Sequence, residues 1–138
     1  MSFVLHCSAV LPWVFEDEAH EEADGLLEEL AAGEDAWVPA IWNLELGNVL
    51  LGAMRKKRID HAGAEAFMAH LGQLEILLDP ETTVRAWGKT FDLAQQHGLS
   101  TGDAAYLELA MRRGLPVATL DRELSAACRA TGVRLKLS

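Results

Sequence analysis

Short apolar runs alternate with longer amphipathic segments along the whole chain. The short runs are bounded by polar residues, glycine or proline, which predicts buried β-strands. They cover residues 3–5, 36–38, 76–78 and 117–119, with a final edge strand at residues 133–137. Strands that alternate with helices in this way are typical of parallel sheets with helical crossovers. We therefore predict an α/β fold of three layers, with a short-stranded parallel sheet flanked by helices.

The longer segments repeat apolar positions at helical spacing, which predicts helices. They cover residues 16–32, 40–55, 60–72, 81–97, 100–113 and 121–132. A short helical turn, with Ser8 as its cap and Pro12 in its first turn, precedes them. The helix at 40–55 is apolar around most of its circumference. We therefore expect it at the centre of the domain rather than on its surface.

The charge of the chain is distributed unevenly. The sequence has 138 residues, which fits one domain over 1–138, and its formal net charge is −9. Residues 1–54 contain eleven acidic and no basic residues, whereas residues 55–138 contain ten acidic and twelve basic ones. Such a total argues against tight nonspecific binding to nucleic acid, but it allows a local basic groove. The dense basic cluster is Arg55, Lys56, Lys57 and Arg58, which is either a solvated helix end or a weak phosphate contact.

Cysteine content and hydropathy indicate a reducing, aqueous location. Cys7 and Cys128 do not form a disulfide framework of the secreted type, and we expect free core thiols. Charged residues interrupt every long apolar stretch, so no segment is long enough to span a bilayer. We therefore expect a cytoplasmic protein that does not contact a membrane.

Four polar residues in apolar surroundings form the candidate site: His6, Glu45, Asp103 and Asp121. His6 ends the first strand and Asp121 follows the fourth, and the carboxyl ends of parallel strands meet at one functional edge. Glu45 interrupts an apolar helix, where a buried charge needs a partner or a metal. Asn48, three residues further on the same helix face, is placed to orient Glu45.

A structural alternative applies to two of these residues. Ser100 and Asp103 resemble a capping box, and Asp121 is a favoured N-cap. Capping is compatible with metal binding, because a helix start also fixes a carboxylate. Clustered carboxylates repel by about 4 kcal/mol per pair at an effective dielectric near 20. A divalent cation such as Mg²⁺ or Mn²⁺ would neutralise them and supply a water nucleophile for phosphodiester chemistry.

His6 breaks this acidic pattern. It replaces an oxygen ligand by nitrogen and removes one negative charge. Imidazole is a poor ligand for Mg²⁺ but suits manganese, iron or zinc. The structural alternative is a hydrogen-bonded histidine at a strand end with no catalytic role. Cys7 is not expected to join His6, because adjacent strand side chains point to opposite faces.

Four segments together resemble a known family. They are FVLHCSAVLPWVFEDE with His6, VPAIWNLELGNVL with Glu45 and Asn48, LSTGDAAYLELA with Asp103, and VATLDREL with Thr119 and Asp121. In this order and spacing, the chain resembles the PIN-domain VapC toxins over nearly its whole length. The resemblance implies a Mg²⁺- or Mn²⁺-dependent endoribonuclease that cleaves RNA, a VapB-type antitoxin as partner, and a homodimer. It also implies that Ser8 assists near the first metal ligand.

The chain departs from the family pattern at two positions. Gly102 stands where an aromatic residue is common, and His6 stands where the family has a metal-binding Asp. Three explanations compete for His6: a natural pseudo-enzyme, an inactivating single-base change in a toxic gene, or a ligand for a softer metal. The second is favoured over the first, and both over the third. His6 also favours an alternative function, a PIN module that binds antitoxin or RNA without cleavage.

A receiver domain that accepts a phosphoryl group is a third class of function. It is also an α/β fold with an acidic pocket. It would need Asp79 at the end of the third strand as the acceptor and a lysine such as Lys136 near the end of the fifth. Lys136 lies within the last predicted strand rather than beyond it, and no acidic pair ends the first strand. The sequence therefore favours the PIN-domain reading.

Overall fold

The computed structural model describes residues 2–137, in which helices surround a parallel sheet. The strands are β1 (Phe3–Leu5), β2 (Asp35–Val38), β3 (Glu75–Leu78) and β4 (Val117–Ala118). The α-helices are α1 (Leu11–Val14), α2 (Glu21–Ala31), α3 (Trp42–Arg55), α4 (His61–Leu71), α5 (Thr82–Arg85), α6 (Lys89–His97), α7 (Thr101–Arg113) and α8 (Arg122–Thr131). Short 3₁₀-helices span Cys7–Ala9 and Glu16–Glu18.

The strand order places the candidate site at a switch point of the sheet. The four described strands are all parallel and lie in the order β3-β2-β1-β4. From β1 the chain proceeds outward through β2 and β3, and β4 then returns to the other side of β1. Ligands bind parallel sheets beyond the carboxyl ends of the strands at such a reversal. His6 follows β1 and Thr119 follows β4, so both lie at this position. The predicted α/β fold is confirmed.

The central helix of the domain is α7 rather than α3. Every residue from Ala104 to Ala110 is buried, and Tyr106 and Leu107 are completely inaccessible. The prediction that the helix at 40–55 is central rather than on the surface is wrong. One face of α3 is open, because Leu44 is 74% exposed and Leu51 is 48% exposed. Its apolar pattern therefore combines a core face with an exposed apolar face.

Two predicted helices are interrupted. The helix predicted at 16–32 is a 3₁₀-turn followed by α2, because Ala19 and His20 have extended backbone conformations. His20 caps α2, since its Nδ1 accepts a hydrogen bond from the Ala23 N–H. The helix predicted at 81–97 breaks between α5 and α6, where Trp87 is 96% exposed. Apolar periodicity continues across both breaks, so the pattern alone did not show them.

Chain ends and caps deviate less from the prediction. The helix predicted at 40–55 begins two residues later, at Trp42, after Pro39. The predicted edge strand at 133–137 is reduced to one parallel bridge between Val117 and Leu135. Asp60 caps α4 as predicted, because its carboxylate accepts from the Gly63 N–H at 2.7 Å. The sequence therefore predicted the helix cap at Asp60 more accurately than the edge strand at residues 133–137.

A buried ionic cluster joins the end of β3 to α7. Arg112 Nη2 lies 2.6 Å from Asp79 Oδ2, and Arg112 Nε lies 2.9 Å from Glu108 Oε2. Asp79 is 3% exposed and Glu108 is 4% exposed, so both charges depend on the same guanidinium. Asp79 is therefore a structural ion-pair partner, not an open phosphoryl acceptor. Lys136 is paired as well, with Glu29, so the receiver-domain alternative lacks both of its key residues.

The two cysteines are free and buried, as predicted. Burial raises the pKa of Cys7 to about 12 and that of Cys128 to about 11, so neither is a thiolate ligand at neutral pH. Across residues 2–137, none of the helices combines the length and apolar character that a membrane span requires.

Candidate active site

His6 lies at the centre of the polar cluster beyond β1 and β4. Its Nε2 is 3.0 Å from Asp103 Oδ1, across 97 residues of sequence. Because an ionised carboxylate only accepts, His6 Nε2–H is the donor. On the other side of the ring, Nδ1 is 2.8 Å from Ser8 Oγ and 3.1 Å from Thr119 Oγ1. The histidine therefore bridges α7 to the loops after β1 and β4.

Asp103 occupies the first turn of α7 and faces His6. Its backbone N–H donates to Ser100 Oγ at 3.1 Å, which confirms Ser100 as the helix cap. Its carboxylate contacts His6 Nε2, so Asp103 takes part in the polar cluster as well as in the first turn of α7. The hydrogen bond from His6 holds the pKa of Asp103 below its usual value, against the opposing effect of burial.

Glu45 is held by a residue that sequence reasoning missed. The Tyr106 hydroxyl donates to Glu45 Oε1 at 2.6 Å. Burial raises the pKa of Tyr106, so the phenol stays protonated and remains a donor. Its ring also meets the His6 ring edge-on, with centroids 4.7 Å apart. A signal was present, because Tyr106 is the only tyrosine and lies one helical turn after Asp103 on the same face.

Gly102 leaves room for Glu45 at the start of α7. A Cβ atom at position 102 would lie 3.0 Å from Glu45 Oε2, which is tighter than ordinary contact, and 3.5 Å from Ile41 Cδ1. A side chain there would require the Glu45 carboxylate to move by about a few tenths of an ångström. The departure at Gly102 therefore has a physical consequence in this chain.

Thr119 and Ser8 connect the site to Asp121. Thr119 Oγ1 accepts from the Asp121 N–H at 3.0 Å, and Ser8 Oγ accepts from the Leu120 N–H at 2.8 Å. Ser8 is therefore a bridge between the two loops and not the cap of α1. Asp121 Oδ2 accepts from the Leu124 N–H at 2.8 Å, which confirms Asp121 as the N-cap of α8.

The remaining candidates lie away from this cluster. Asn48 is exposed on α3. Glu45 is held by the hydroxyl of Tyr106 rather than by the side-chain amide of Asn48. Arg58 is bound by Asp17 and Glu18 and stacks on Phe15, so it anchors the segment before α2. The other members of the basic cluster, Arg55, Lys56 and Lys57, are exposed.

The candidate residues include the ligand atoms that a divalent metal prefers, but their side chains are not arranged to hold one. Glu45, Asp103 and Asp121 supply the oxygen donors that Mg²⁺ and Mn²⁺ prefer. His6 supplies nitrogen, and its Nε2–H is directed at Oδ1, one of the two carboxylate oxygens of Asp103. Within residues 2–137, no three His, Cys, Asp or Glu side chains are grouped closely enough to hold one ion. As arranged here, the four residues do not fit the metal that their resemblance implies.

Replacing Tyr106 with Phe tests the support of Glu45. We expect Tyr106→Phe to lower the free energy of unfolding by about 1–3 kcal/mol, because one carboxylate oxygen loses its charged hydrogen bond. Urea unfolding of Tyr106→Phe, Glu45→Gln and the double variant would measure the coupling. We expect the tyrosine substitution to cost less in the Glu45→Gln background. Strict additivity would show that the contact contributes nothing specific.

Comparison with solved structures supports the fold. The chain is similar to PAE2754 from Pyrobaculum aerophilum, with a TM-score of 0.68 and 24% identity over 92% of this chain and 79% of that one. VapBC2 from Rickettsia felis, bound to a DNA fragment from its promoter, gives a TM-score of 0.65 and 18% identity, covering 98% and 97%. FitAcB from Neisseria gonorrhoeae gives a TM-score of 0.62 and 20% sequence identity, over 98% of this chain and 96% of that one.

Sequence comparison places the chain in a family. No curated protein matches it. The family model described as PIN domain matches residues 4–130, a stretch that begins in β1 and ends in α8. It therefore includes His6, Glu45, Asp103 and Asp121. This chain belongs to the PIN-domain family.

Proposed function

We propose that this chain is a VapC-type toxin, a Mg²⁺- or Mn²⁺-dependent endoribonuclease whose activity is impaired in this form by His6. PIN domains are generally nucleases and commonly use divalent metals. The observation that carries the proposal is the meeting of His6 and Asp103 at the sheet switch point, with Glu45 held beside them by Tyr106.

His6 interferes with that site in two ways. It lacks the negative charge and oxygen donors of an aspartate, and it donates a hydrogen bond to Asp103. Asp103 is therefore satisfied within the protein, without a cation. Ser8 and Thr119 fix the opposite side of the ring, so His6 is held in this position from both sides.

The proposed partner is a VapB-type antitoxin, and the proposed assembly is a homodimer. VapBC2, to which the chain is similar, couples a VapB and a VapC in its name. Exposed apolar side chains offer contact area, including Leu44, Val84 and Trp87.

A second candidate function is a PIN module that binds antitoxin or RNA without cleaving. The hydrogen bond between His6 and Asp103 favours it, because Asp103 Oδ1 already has a partner within the protein. The retained Glu45, Asp103 and Asp121 favour the impaired nuclease instead. Restoring an aspartate at position 6 separates the two candidates.

RNA cleavage by the parent chain and by His6→Asp is the deciding experiment. We expect His6→Asp to raise the cleavage rate by on the order of 100-fold with Mg²⁺ or Mn²⁺, because it restores an oxygen ligand. EDTA should abolish the gain, and the matched control His6→Asn should not show it. If the parent cuts equally well with Mn²⁺, His6 does not impair the site. If neither form cuts, the noncatalytic module is the better description.

A further inference from the structure

The basic residues of the chain divide into bound and unbound groups. Side chains already engaged in ion pairs or on aromatic rings are Arg58, Arg85, Arg112, Arg113 and Lys136. Those without an ion pair to any residue in 2–137 are Arg55, Lys56, Lys57, Lys89, Arg122, Arg129 and Arg134. A polyanion outside the protein can bind this second group without displacing an internal ion pair.

Two of the unbound arginines line a groove beside the candidate site. A groove of about 380 Å³ is formed by Thr119, Leu120, Arg122, Ser125, Arg129 and Leu137. Thr119 belongs to both places, because its hydroxyl also contacts His6 Nδ1. The groove therefore begins at the carboxyl end of β4, next to Asp121, and follows α8.

The positions on α8 make one basic face. Arg122, Ser125 and Arg129 are spaced three and seven residues apart, which places them on the same side of the helix. Seven residues correspond to about 10.5 Å along the axis. Arg122 lies in the first helical turn, where a cation opposes the helix dipole. Its charge therefore does not serve the stability of α8.

We propose that this α8 groove binds the phosphate backbone of single-stranded RNA and holds it against the candidate site. The proposal rests on the proposed function and names its substrate contact. The carboxylates of the site repel phosphate, and residues 1–54 carry no Lys or Arg, so RNA needs cations on another flank. The α8 groove supplies them, with guanidinium groups that suit phosphate oxygens. The cluster at residues 55–58 ends α3 and is not part of this groove.

Anisotropy of a fluorescein-labelled, mixed-sequence single-stranded RNA measures the contact directly on the parent chain. We expect Arg122→Gln/Arg129→Gln to weaken binding roughly tenfold and to reduce the slope of log K against log salt by about 1.4. Arg122→Lys/Arg129→Lys should keep most of the affinity. The matched control Lys89→Gln/Arg134→Gln makes the same change in net charge outside the groove and should bind like the parent. Circular dichroism would confirm that all variants are folded.

The first four of the following outcomes would overturn the α8 groove, and the last would support it without the nuclease. Equal losses of RNA affinity in the two double Gln variants would show that binding depends on net charge and not on the α8 groove. If the parent chain showed no salt-dependent RNA binding, the groove would have no phosphate contact. Polyglutamate that binds through Arg122 and Arg129 more tightly than RNA would instead indicate an acidic protein partner. If His6→Asp cleaves RNA and the α8 substitutions do not change RNA binding, the proposed nuclease activity is supported and the groove is not. If RNA binds through α8 but His6→Asp does not cleave it, the groove is supported and the proposed nuclease activity is not.

Discussion

Arg112→Met is expected to lower the free energy of unfolding by about 3–5 kcal/mol at neutral pH, measured by urea denaturation. The reason is that Asp79 and Glu108 are 3% and 4% exposed and share this guanidinium. Methionine fills similar volume but leaves two buried carboxylates without their counter-ion. Removing one partner of a buried ion pair costs far more than the pair contributes in net stability.

The pH dependence of that loss has a definite sign. Burial acts to raise the pKa of Asp79, but hydrogen bonds from Arg112 and the Glu81 N–H outweigh it and hold the pKa below its ordinary 3.8. In the parent, this stabilisation is present above about pH 4 and is lost as the pH falls through the lowered pKa. In Arg112→Met, burial acts without the arginine, so protonation of Asp79 relieves the variant. We therefore expect the difference between the two proteins to shrink below about pH 5.

Arg85→Met is the matched control for the ionic cluster. Arg85 pairs with Glu81 one helical turn away, and their side chains are 41% and 42% exposed, respectively. Exposed pairs of this spacing contribute little to stability, because solvent screens them. Similar small losses in Arg85→Met and Arg112→Met would show that the buried cluster has no special role.

His6→Asp is expected to lower the free energy of unfolding by about 3 kcal/mol in EDTA, through a lost charged hydrogen bond and carboxylate repulsion. His6 is the donor to Asp103, and its side chain is only 12% exposed. The change places a new negative charge beside Asp103, near Glu45. Mn²⁺ should restore the lost stability, because a cation that binds only the folded state stabilises it. His6→Asn, which removes the ring without adding charge, should lose less and gain nothing from Mn²⁺.

Local signals in the sequence were sufficient for the fold. The buried runs predicted the four strands, and Asp60, Ser100 and Asp121 marked helix starts that the structure confirms. Each of these signals acts within a few residues, where hydrogen bonds and side-chain periodicity determine the backbone. The breaks inside residues 16–32 and 81–97 were missed, because apolar periodicity continues through them.

The candidate site was only partly predictable, because its contacts span the chain. The strand-end rule and the family resemblance placed His6, Asp103 and Asp121 at one edge. The hydrogen bond from Tyr106 to Glu45 joins residues 61 positions apart, and the pair of Arg112 and Asp79 joins residues 33 apart. Neither follows from local pattern, and a tyrosine in an apolar helix resembles any core residue. The steric role of Gly102 also depends on the approach of α3 to α7.

Titration of Mn²⁺ into the parent and His6→Asp chains, followed by electron paramagnetic resonance of the free ion, tests the central claim most directly. That claim is that position 6 decides whether the carboxylates hold a metal. We expect saturable binding by His6→Asp, weak binding by the parent, and loss of binding when Asp103→Asn is added to His6→Asp without unfolding it. Equal Mn²⁺ binding by the parent and His6→Asp would contradict the claim and would make His6 a working ligand.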